Sequence, residues 1–220
     1  MGKLNIFIAN ANNKFTNQEL AIFKNANEAA QDFISKNFDF DYDVDVVITE
    51  PSSLASTIPE DGIVGRTYNS QLVILVLDKQ QAAISEDSVF ETICHEMSHA
   101  LRWEKLPEYS NTLFKGIILE GLAVVLEEKA IDDTGRSQKQ FFLKEMQSTD
   151  QVTIDSMIAN LRGQFDNENY DYNTVFFTGN DVLPRWAGYK LGYHFVKKQL
   201  QESGMSIEEA TLASYADFRP

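Results

Sequence analysis

The pattern His-Glu-Met-Ser-His at positions 95–99 constrains this chain more than any other feature of its sequence. Only three histidines occur in the 220 residues, and two of them, His95 and His99, fall into this spacing. On an α-helix, side chains four residues apart differ by only about 40° in direction, so both imidazoles can reach one metal ion. The spacing therefore favours a helix and indicates a zinc site, because imidazole nitrogen is a common zinc ligand.

The residues around this pattern support a helix. Ser85 can cap a helix whose first turn carries Glu86 and Asp87. Its apolar side is formed by Val89, Phe90, Ile93, Met97, Ala100 and Leu101. Glu96 then points about 60° away from His99, which is where a general base must lie to take a proton from zinc-activated water. The alternative interpretation is that both histidines are ordinary helix residues with satisfied hydrogen bonds.

A third protein ligand is expected, because a catalytic zinc normally has three, with an open position for water. The metzincin continuation of the motif is excluded, since Arg102 and Lys105 stand where its glycine and third histidine would be, and His194 lies far downstream. A carboxylate is therefore favoured. Glu120 stands inside an apolar helical run, Ile117 to Ala123, and an antiparallel return would bring it near the metal. The alternative is a buried charge paired with Arg102 or a lysine.

The ends of these two helices can also be predicted. Pro107 is expected to end the first, because proline cannot continue a helix, and either Ser110 or Asn111 is expected to cap the next. A later helix is expected to be capped by Asp181 and to carry Tyr189 on one face.

Strands precede helices along the chain, which predicts an α+β fold. The expected elements are a strand from Leu4 to Ala9, a helix from the capping box Thr16–Glu19 to about Asn37, strands Val44 to Thr49, Ile63 to Tyr68 and Leu72 to Leu77, and helices from Ser85 onward. The last two strands read as a hairpin, with the first of them at the sheet edge. Residues 163–181 read as a long loop with a candidate hairpin at Thr174 to Thr178.

Composition favours one globular domain over residues 1–220, with a sheet-rich part at 1–84 and a helical part with the metal site at 85–220. With 43% hydrophobic residues the chain has ample material for a core. The single cysteine, Cys94, cannot form an internal bridge, and this usage fits a reducing compartment. The N-terminal apolar run is too short for a signal peptide, and no run reaches membrane-span length. We therefore expect a cytoplasmic protein without a membrane span.

The charge of the chain argues against nucleic acid as a partner. Acidic residues number 33 against 19 basic ones, for a net charge of −14, and the basic residues are scattered. Phosphate binding needs a concentrated basic surface. Solubility explains the acidity, and an acidic cleft that prefers basic substrates is the alternative.

With Glu-Gly-Leu-Ala at 120–123 and Gly-Tyr-Lys-Leu-Gly-Tyr at 188–193, the sequence resembles the bacterial predicted zinc-dependent protease family of the gluzincin class, over about Gly65 to Ala216. The resemblance implies a zincin-like fold, with a small mixed sheet packed on the active-site helix, and a glutamate as third ligand. It carries the ligand roles onto His95, His99 and Glu120.

One position departs from the thermolysin form of gluzincins. In the thermolysin form an aspartate orients a ligand histidine, whereas this chain has Val124 at the corresponding position. Glu127, two turns beyond Glu120, is the candidate replacement, and a solvated surface acid is the alternative. Cys94 is expected to be a buried thiol, because adjacent helix positions diverge by about 100°. Arg102 is expected to pair either with a site carboxylate or in an ordinary surface or interhelix salt bridge.

A donor for the transition-state oxyanion is also expected. Tyr189 and Tyr193 share a helix face, and Gly188 and Gly192 beside them leave a groove for close helix approach. His194 projects about 140° from Tyr189 and is the less favoured donor. The alternative is an aromatic face packed in the core.

These observations together predict a zinc metallopeptidase that binds one zinc per chain and hydrolyses peptide or protein substrates, with Glu96 as general base. The edge segment Ile63 to Tyr68 either pairs with an extended substrate or is only a sheet border. The alternative function is a non-catalytic zinc-binding or scaffold module with a zincin-like fold. The oligomeric state stays open.

Overall fold

The structure is a computed structural model that describes residues 2–11, 13–51, 57–106 and 110–219. Its strands are β1 (Leu4–Ile8), β2 (Val44–Thr49), β3 (Ile63–Asn69) and β4 (Leu72–Leu77). Its helices are α1 (Asn17–Asn37), α2 (Glu86–Lys105), α3 (Leu113–Asp133), α4 (Phe141–Gln147), α5 (Gln151–Leu161), α6 (Ala187–Ser203) and α7 (Ile207–Thr211). The predicted α+β class, with an N-terminal sheet and a mostly helical C-terminal half, is confirmed.

The four strands form one mixed sheet in the order β1-β2-β4-β3. β1 and β2 run parallel, as do β2 and β4, while β3 and β4 form the predicted antiparallel hairpin. β3 lies at the edge, and a register irregularity follows Thr67. The central strand β4 buries Val73, Leu75, Val76 and Leu77, as its continuous apolar sequence predicts.

Helices α1 and α2 pack together, and α2 also packs against β3 and β4. The predicted capping box of α1 is present, since Thr16 accepts from the Glu19 amide and the Glu19 side chain accepts from the Thr16 amide. Phe33 of α1 meets Phe90 of α2 edge-on, with ring centroids 6.4 Å apart. A small sheet therefore packs on the helix that carries the histidine motif, as expected.

The chain forms two compact units. The first comprises Met1–Lys105 and Leu126–Leu143, and the second comprises Leu106–Val125 and Lys144–Pro220. Helix α3 contributes its last two turns to the first unit and its earlier turns to the second. Whether both fold as the single domain expected from composition stays a prediction. No helix in the described ranges has the length and apolarity needed to cross a membrane.

The hairpin expected at Thr174 to Thr178 is wrong, because these residues form a π-helical turn. Their β-branched and aromatic side chains favour a strand locally. Asp171 overrides this preference by accepting hydrogen bonds from the amide and the hydroxyl of Thr174, at 3.0 and 2.8 Å. The turn ends at Gly179, which has a φ of 68° and donates its amide to the Thr174 carbonyl.

Two predicted helix caps are also wrong. Thr112, not Ser110 or Asn111, accepts the Lys115 amide at the start of α3. α6 begins at Ala187, after Trp186 with a φ of 62°, and not after Asp181. The side chain of Asn180 accepts the amides of residues 182 and 183, which turns the chain before a helix can start. Helix α2 ends at Lys105, and Pro107 lies outside the described residues.

Candidate metal centre

Helix α2, which belongs to the first unit, carries both histidines of the motif. The helix starts as predicted, because the Ser85 hydroxyl accepts the Ser88 amide at 3.0 Å and two acidic residues follow in the first turn. His95 is 9% exposed, whereas His99 is half-buried. Their ring centroids lie 5.1 Å apart and the ring planes meet at 74°. The two imidazoles are therefore neighbours on one helix face, as four-residue spacing requires.

Glu120 of α3 joins the two histidines. One ligand atom from each of His95, His99 and Glu120 can be chosen such that all three lie within 4.8 Å of one another. Within the described ranges this is the one group of at least three histidine, cysteine or acidic side chains with such geometry. Two imidazole nitrogens and one carboxylate oxygen are a donor set that suits zinc. Whether Glu120 is a ligand or a buried charge paired with Arg102 or a lysine stays a prediction.

Glycines allow α3 to pack closely where it carries Glu120. A β-carbon on Gly121 would lie 2.2 Å from the carbonyl carbon of Gly192 in α6, and one on Gly192 would lie 2.8 Å from the α-carbon of Gly121. The two backbones therefore touch, and no side chain fits at either position. The predicted close approach at Gly192 is confirmed, and its partner is the residue next to Glu120.

Glu127, seven residues after Glu120 on the same helix, binds the first histidine. His95 Nδ1–H donates to Glu127 Oε2 at 2.6 Å, and Glu127 is only 3% exposed. The predicted pairing of Glu127 with one of the two histidines is therefore present, and a solvated surface acid is excluded; that His95 binds a metal stays a prediction. Burial raises the pKa of Glu127, while His95 opposes that rise. With Nδ1 occupied in this way, Nε2 of His95 is left for a metal ion.

Glu96 is held from strand β3. The Thr67 hydroxyl lies 2.7 Å from Glu96 Oε2 and 2.9 Å from the Glu96 carbonyl oxygen, both of which accept from it. A β-carbon on Gly65, two residues earlier on the strand, would lie 2.4 Å from Glu96 Cγ. Gly65 thus leaves the space that the side chain of Glu96 occupies, and Thr67 fixes its carboxylate. Neither residue could be predicted from sequence as a partner of Glu96, since only the strand register places them over the helix.

The expected oxyanion donors lie on α6. Tyr189 is half-buried and packs edge-on against Phe176, with centroids 5.5 Å apart, and against Phe177 at 6.4 Å. Tyr193 is half-buried, and the Lys197 ammonium lies 5.7 Å from its ring centroid. These contacts fit both the catalytic interpretation and the packing alternative, so the roles of Tyr189 and Tyr193 stay predictions. Burial lowers the pKa of His194, the alternative donor.

Tyr170 is a further aromatic residue close to Glu120. A β-carbon on Gly116 would lie 2.9 Å from the Tyr170 hydroxyl, and Gly116 precedes Glu120 by one helical turn. Burial raises the pKa of Tyr170, and the charge of Glu120 adds to that rise. The sequence offers no signal for this residue, because it lies in an irregular segment rich in aspartate, asparagine and tyrosine.

Helix α2 also carries Cys94 and Arg102, both of which are buried. Cys94 is fully buried, and burial raises the pKa of its thiol, so the prediction of a buried thiol is confirmed. Arg102 is 2% exposed, which excludes a surface salt bridge, while a site carboxylate and an interhelix salt bridge both stay predictions.

An α+β fold with two clustered histidines and a glutamate defines a candidate zinc-binding protein. The chain belongs to the family described as "Predicted Zn-dependent protease (DUF2268)", whose model matches residues 22–219 and therefore includes every residue of the cluster. Neither a curated protein nor a solved structure is significantly similar to the chain. The gluzincin class and the zincin-like fold stay predictions from sequence.

Proposed function

We propose that this protein is a zinc metallopeptidase with one zinc per chain, bound by His95, His99 and Glu120. The observation that carries the proposal is the convergence of these three ligand atoms within 4.8 Å, beside a buried glutamate that strand β3 holds in place. The family description supports the same reaction class.

The residues present fit a zinc ion. The tautomer of His95 is set by its hydrogen bond to Glu127, which is how proteins commonly prepare a histidine for metal binding. Three protein ligands would leave a bound zinc ion open to water or substrate, and the half-buried His99 is consistent with access from solvent. Zinc supplies Lewis acidity when bound, which polarises an amide carbonyl and acidifies water.

Glu96 is proposed as general base. Its carboxylate accepts a proton from the attacking water and passes it to the leaving amine, so no covalent intermediate forms. The hydroxyl of Thr67 occupies one carboxylate oxygen, Oε2, and leaves Oε1 for the proton transfer. In this scheme Glu127 keeps a proton on His95 Nδ1 throughout, and the substrate is a peptide or a protein.

The experiment that tests the function is cleavage of a peptide library by the purified protein. We expect cleavage by the zinc-loaded protein, loss of cleavage after the metal is removed with a chelator, and recovery when zinc is added back. A protein that binds zinc through four protein ligands and cleaves nothing would instead be the non-catalytic zinc-binding or scaffold module. Mass spectrometry of the products would also give the cleavage specificity.

Thr67→Val is expected to lower kcat about tenfold while zinc content stays the same, because the valine keeps the shape of threonine but cannot hold the Glu96 carboxylate. A hydrogen bond to a charged group is worth about 1.5–3 kcal/mol, which is the scale of such a change. Thr67→Ser retains the hydroxyl and serves as the matched control, with a kcat near that of wild type. Equal rates for all three proteins would show that Thr67 does not position the base.

Tyr189→Phe is expected to lower kcat by roughly 10²–10³-fold if Tyr189 donates to the oxyanion, with zinc content and thermal stability nearly unchanged. Phenylalanine keeps the ring contacts with Phe176 and removes only the hydroxyl. Tyr193→Phe and Tyr170→Phe are the matched comparisons, because both residues are also half-buried in the second unit. A wild-type kcat for Tyr189→Phe would transfer the role to whichever of the other variants is impaired.

A further inference from the structure

Five aromatic side chains of the second unit form one cluster with a buried centre and an exposed surface. The members of this aromatic cluster are Tyr170, Tyr172, Phe176, Phe177 and Tyr189, and the centroids of contacting rings lie 4.8–6.4 Å apart. Phe176 is fully buried, whereas Tyr172 is 47% and Phe177 41% exposed. Two large rings that contact each other and remain open to solvent are the kind of surface that binds a partner.

The buried ring of Phe176 places the cluster against the helix that carries Glu120. A β-carbon on Gly116 of α3 would lie 3.3 Å from Phe176 Cζ, and one on Gly188 of α6 would lie 2.4 Å from Phe176 Cε1. Both glycines therefore leave the space that this ring occupies. Gly116 precedes Glu120 by one helical turn, which is about 6 Å along the helix axis. The two exposed rings hence lie within a few residues of an extended peptide that reaches Glu120.

Hydrogen bonds hold the segment that carries the exposed rings. The Asn167 carbonyl oxygen accepts the Leu113 amide at 3.0 Å, and the Phe165 carbonyl oxygen accepts the next amide of α3 at 3.0 Å. Asp171 then caps the π-helical turn that contains Phe177. Side chains that are already held in place lose little conformational entropy when a ligand binds. The exposed rings are therefore suited to bind a ligand without rearrangement.

The charges around the cluster favour a peptide as the occupant. Residues 163–184 contain four acidic residues and no lysine or arginine, and the whole chain has a net charge of −14. These four acidic side chains, Asp166, Glu168, Asp171 and Asp181, are exposed. Like charges would repel a second copy of the chain that presents the same surface, and they would repel an anionic membrane. A neutral or basic peptide meets no such repulsion.

We propose that Tyr172 and Phe177 form a subsite that binds an aromatic or large aliphatic side chain of the peptide substrate. The inference rests on the function proposed above and narrows its substrates to peptides with such a side chain near the cleaved bond. Binding removes apolar surface of both partners from water, which stabilises the complex. The ring of Tyr189, the expected oxyanion donor, lies 6.4 Å from that of Phe177 between centroids, so the subsite adjoins the place where this donor is expected.

The selectivity of cleavage tests the subsite. A peptide cleaved from the library is remade with phenylalanine or alanine at each position that flanks the cleaved bond, and kcat/KM is measured for every peptide. We expect one position at which phenylalanine exceeds alanine by about 10–100-fold, the scale on which apolar subsites discriminate. In Phe177→Ala this ratio is expected to fall about tenfold. The ratio is informative because general damage to the enzyme lowers both rates and leaves their ratio unchanged.

Matched variants separate a subsite from an effect on folding. Phe7→Ala is the control, because Phe7 is a 52% exposed phenylalanine of β1 in the first unit, and it should keep the wild-type ratio. Tyr172→Phe retains the ring and should also keep the ratio, whereas Tyr172→Ser should lower it. The absence of any position that prefers phenylalanine, or equal ratios in wild type, Phe177→Ala and Tyr172→Ser, would overturn the proposal.

Peptide binding tests the subsite independently of catalysis. Saturation-transfer NMR with a pentapeptide of alanine that has one central phenylalanine needs neither zinc nor turnover. We expect transfer to the phenylalanine ring with wild type and Phe7→Ala, and a clear loss with Phe177→Ala. This result in the absence of any cleavage would contradict the proposed function and leave the subsite in place. An equal signal with all three proteins would overturn the subsite.

The same variants distinguish a peptide from other occupants of the exposed rings. Analytical ultracentrifugation measures self-association, and co-sedimentation with phosphatidylcholine vesicles measures binding to a lipid surface. We expect a sedimentation behaviour that is the same for wild type, Phe177→Ala and Phe7→Ala in both experiments. A dimer or a vesicle complex that is lost in Phe177→Ala and retained in Phe7→Ala would assign the exposed rings to that partner and overturn the proposal.

Discussion

Glu96→Gln is expected to abolish peptide hydrolysis and to leave the fold and the bound zinc intact. The amide preserves the shape of the side chain and its contact with Thr67, but it cannot take a proton from water. General base catalysis alone typically contributes 10²–10⁴-fold, so kcat should fall by at least that range. Steady-state kinetics on a cleaved library peptide, together with metal analysis of the same preparation, would measure both effects.

A matched control is available on the same helix. Glu104 is an exposed glutamate near the end of α2, and Glu104→Gln makes the same chemical change away from the cluster. It should retain the wild-type kcat. Undiminished turnover in Glu96→Gln would remove this residue from the mechanism and would require another base.

Replacing any of the three proposed ligands by alanine is expected to remove zinc. Each change takes away one of three donors, and the remaining two cannot hold the ion against competing chelators. The loss of affinity should exceed the 10–100-fold that is typical when only an outer partner of a ligand is removed. Glu127→Gln alters such an outer partner, so its loss of zinc affinity is the reference with which the three alanine variants are compared. Competition with a zinc-binding dye would rank wild type, Glu127→Gln and the three alanine variants.

His194→Ala is the control for the histidine variants, because His194 is the third histidine of the chain and lies outside the cluster. It should bind zinc like wild type. Glu120→Ala is the most informative of the three ligand variants, since Glu120 was assigned from its position in an apolar helix as well as from a resemblance. Stoichiometric zinc at wild-type affinity in Glu120→Ala would contradict the ligand set.

The histidine pair of the candidate metal site could be predicted from sequence because the spacing of a helix is local. Four residues place His95 and His99 side by side whatever the rest of the fold does. Glu120 could be predicted for a different reason, since a charge in an apolar helical run must find a partner. Glu127 could be predicted as a candidate partner of a histidine because a spacing of seven residues returns to nearly the same helix face.

The residues that hold Glu96 could not be predicted, because their positions depend on long-range packing. Gly65 and Thr67 reach Glu96 only through the register of β3 on β4 and the packing of α2 on both strands. The prediction of a hairpin at Thr174 to Thr178 failed for a local reason and not because of long-range packing. There the local β preference was read correctly, and a side-chain cap from Asp171 outweighed it.

Helix α3 carries both Glu120 and Glu127. Glu120 and Glu127 are seven residues apart, which corresponds to about 10.5 Å along one uninterrupted helix. Inserting or deleting a single residue between them would rotate one carboxylate by about 100° relative to the other. The spacing of this stretch is therefore under a length constraint that is separate from the choice of side chains, and changes in length should be harmful even where every substitution is tolerated.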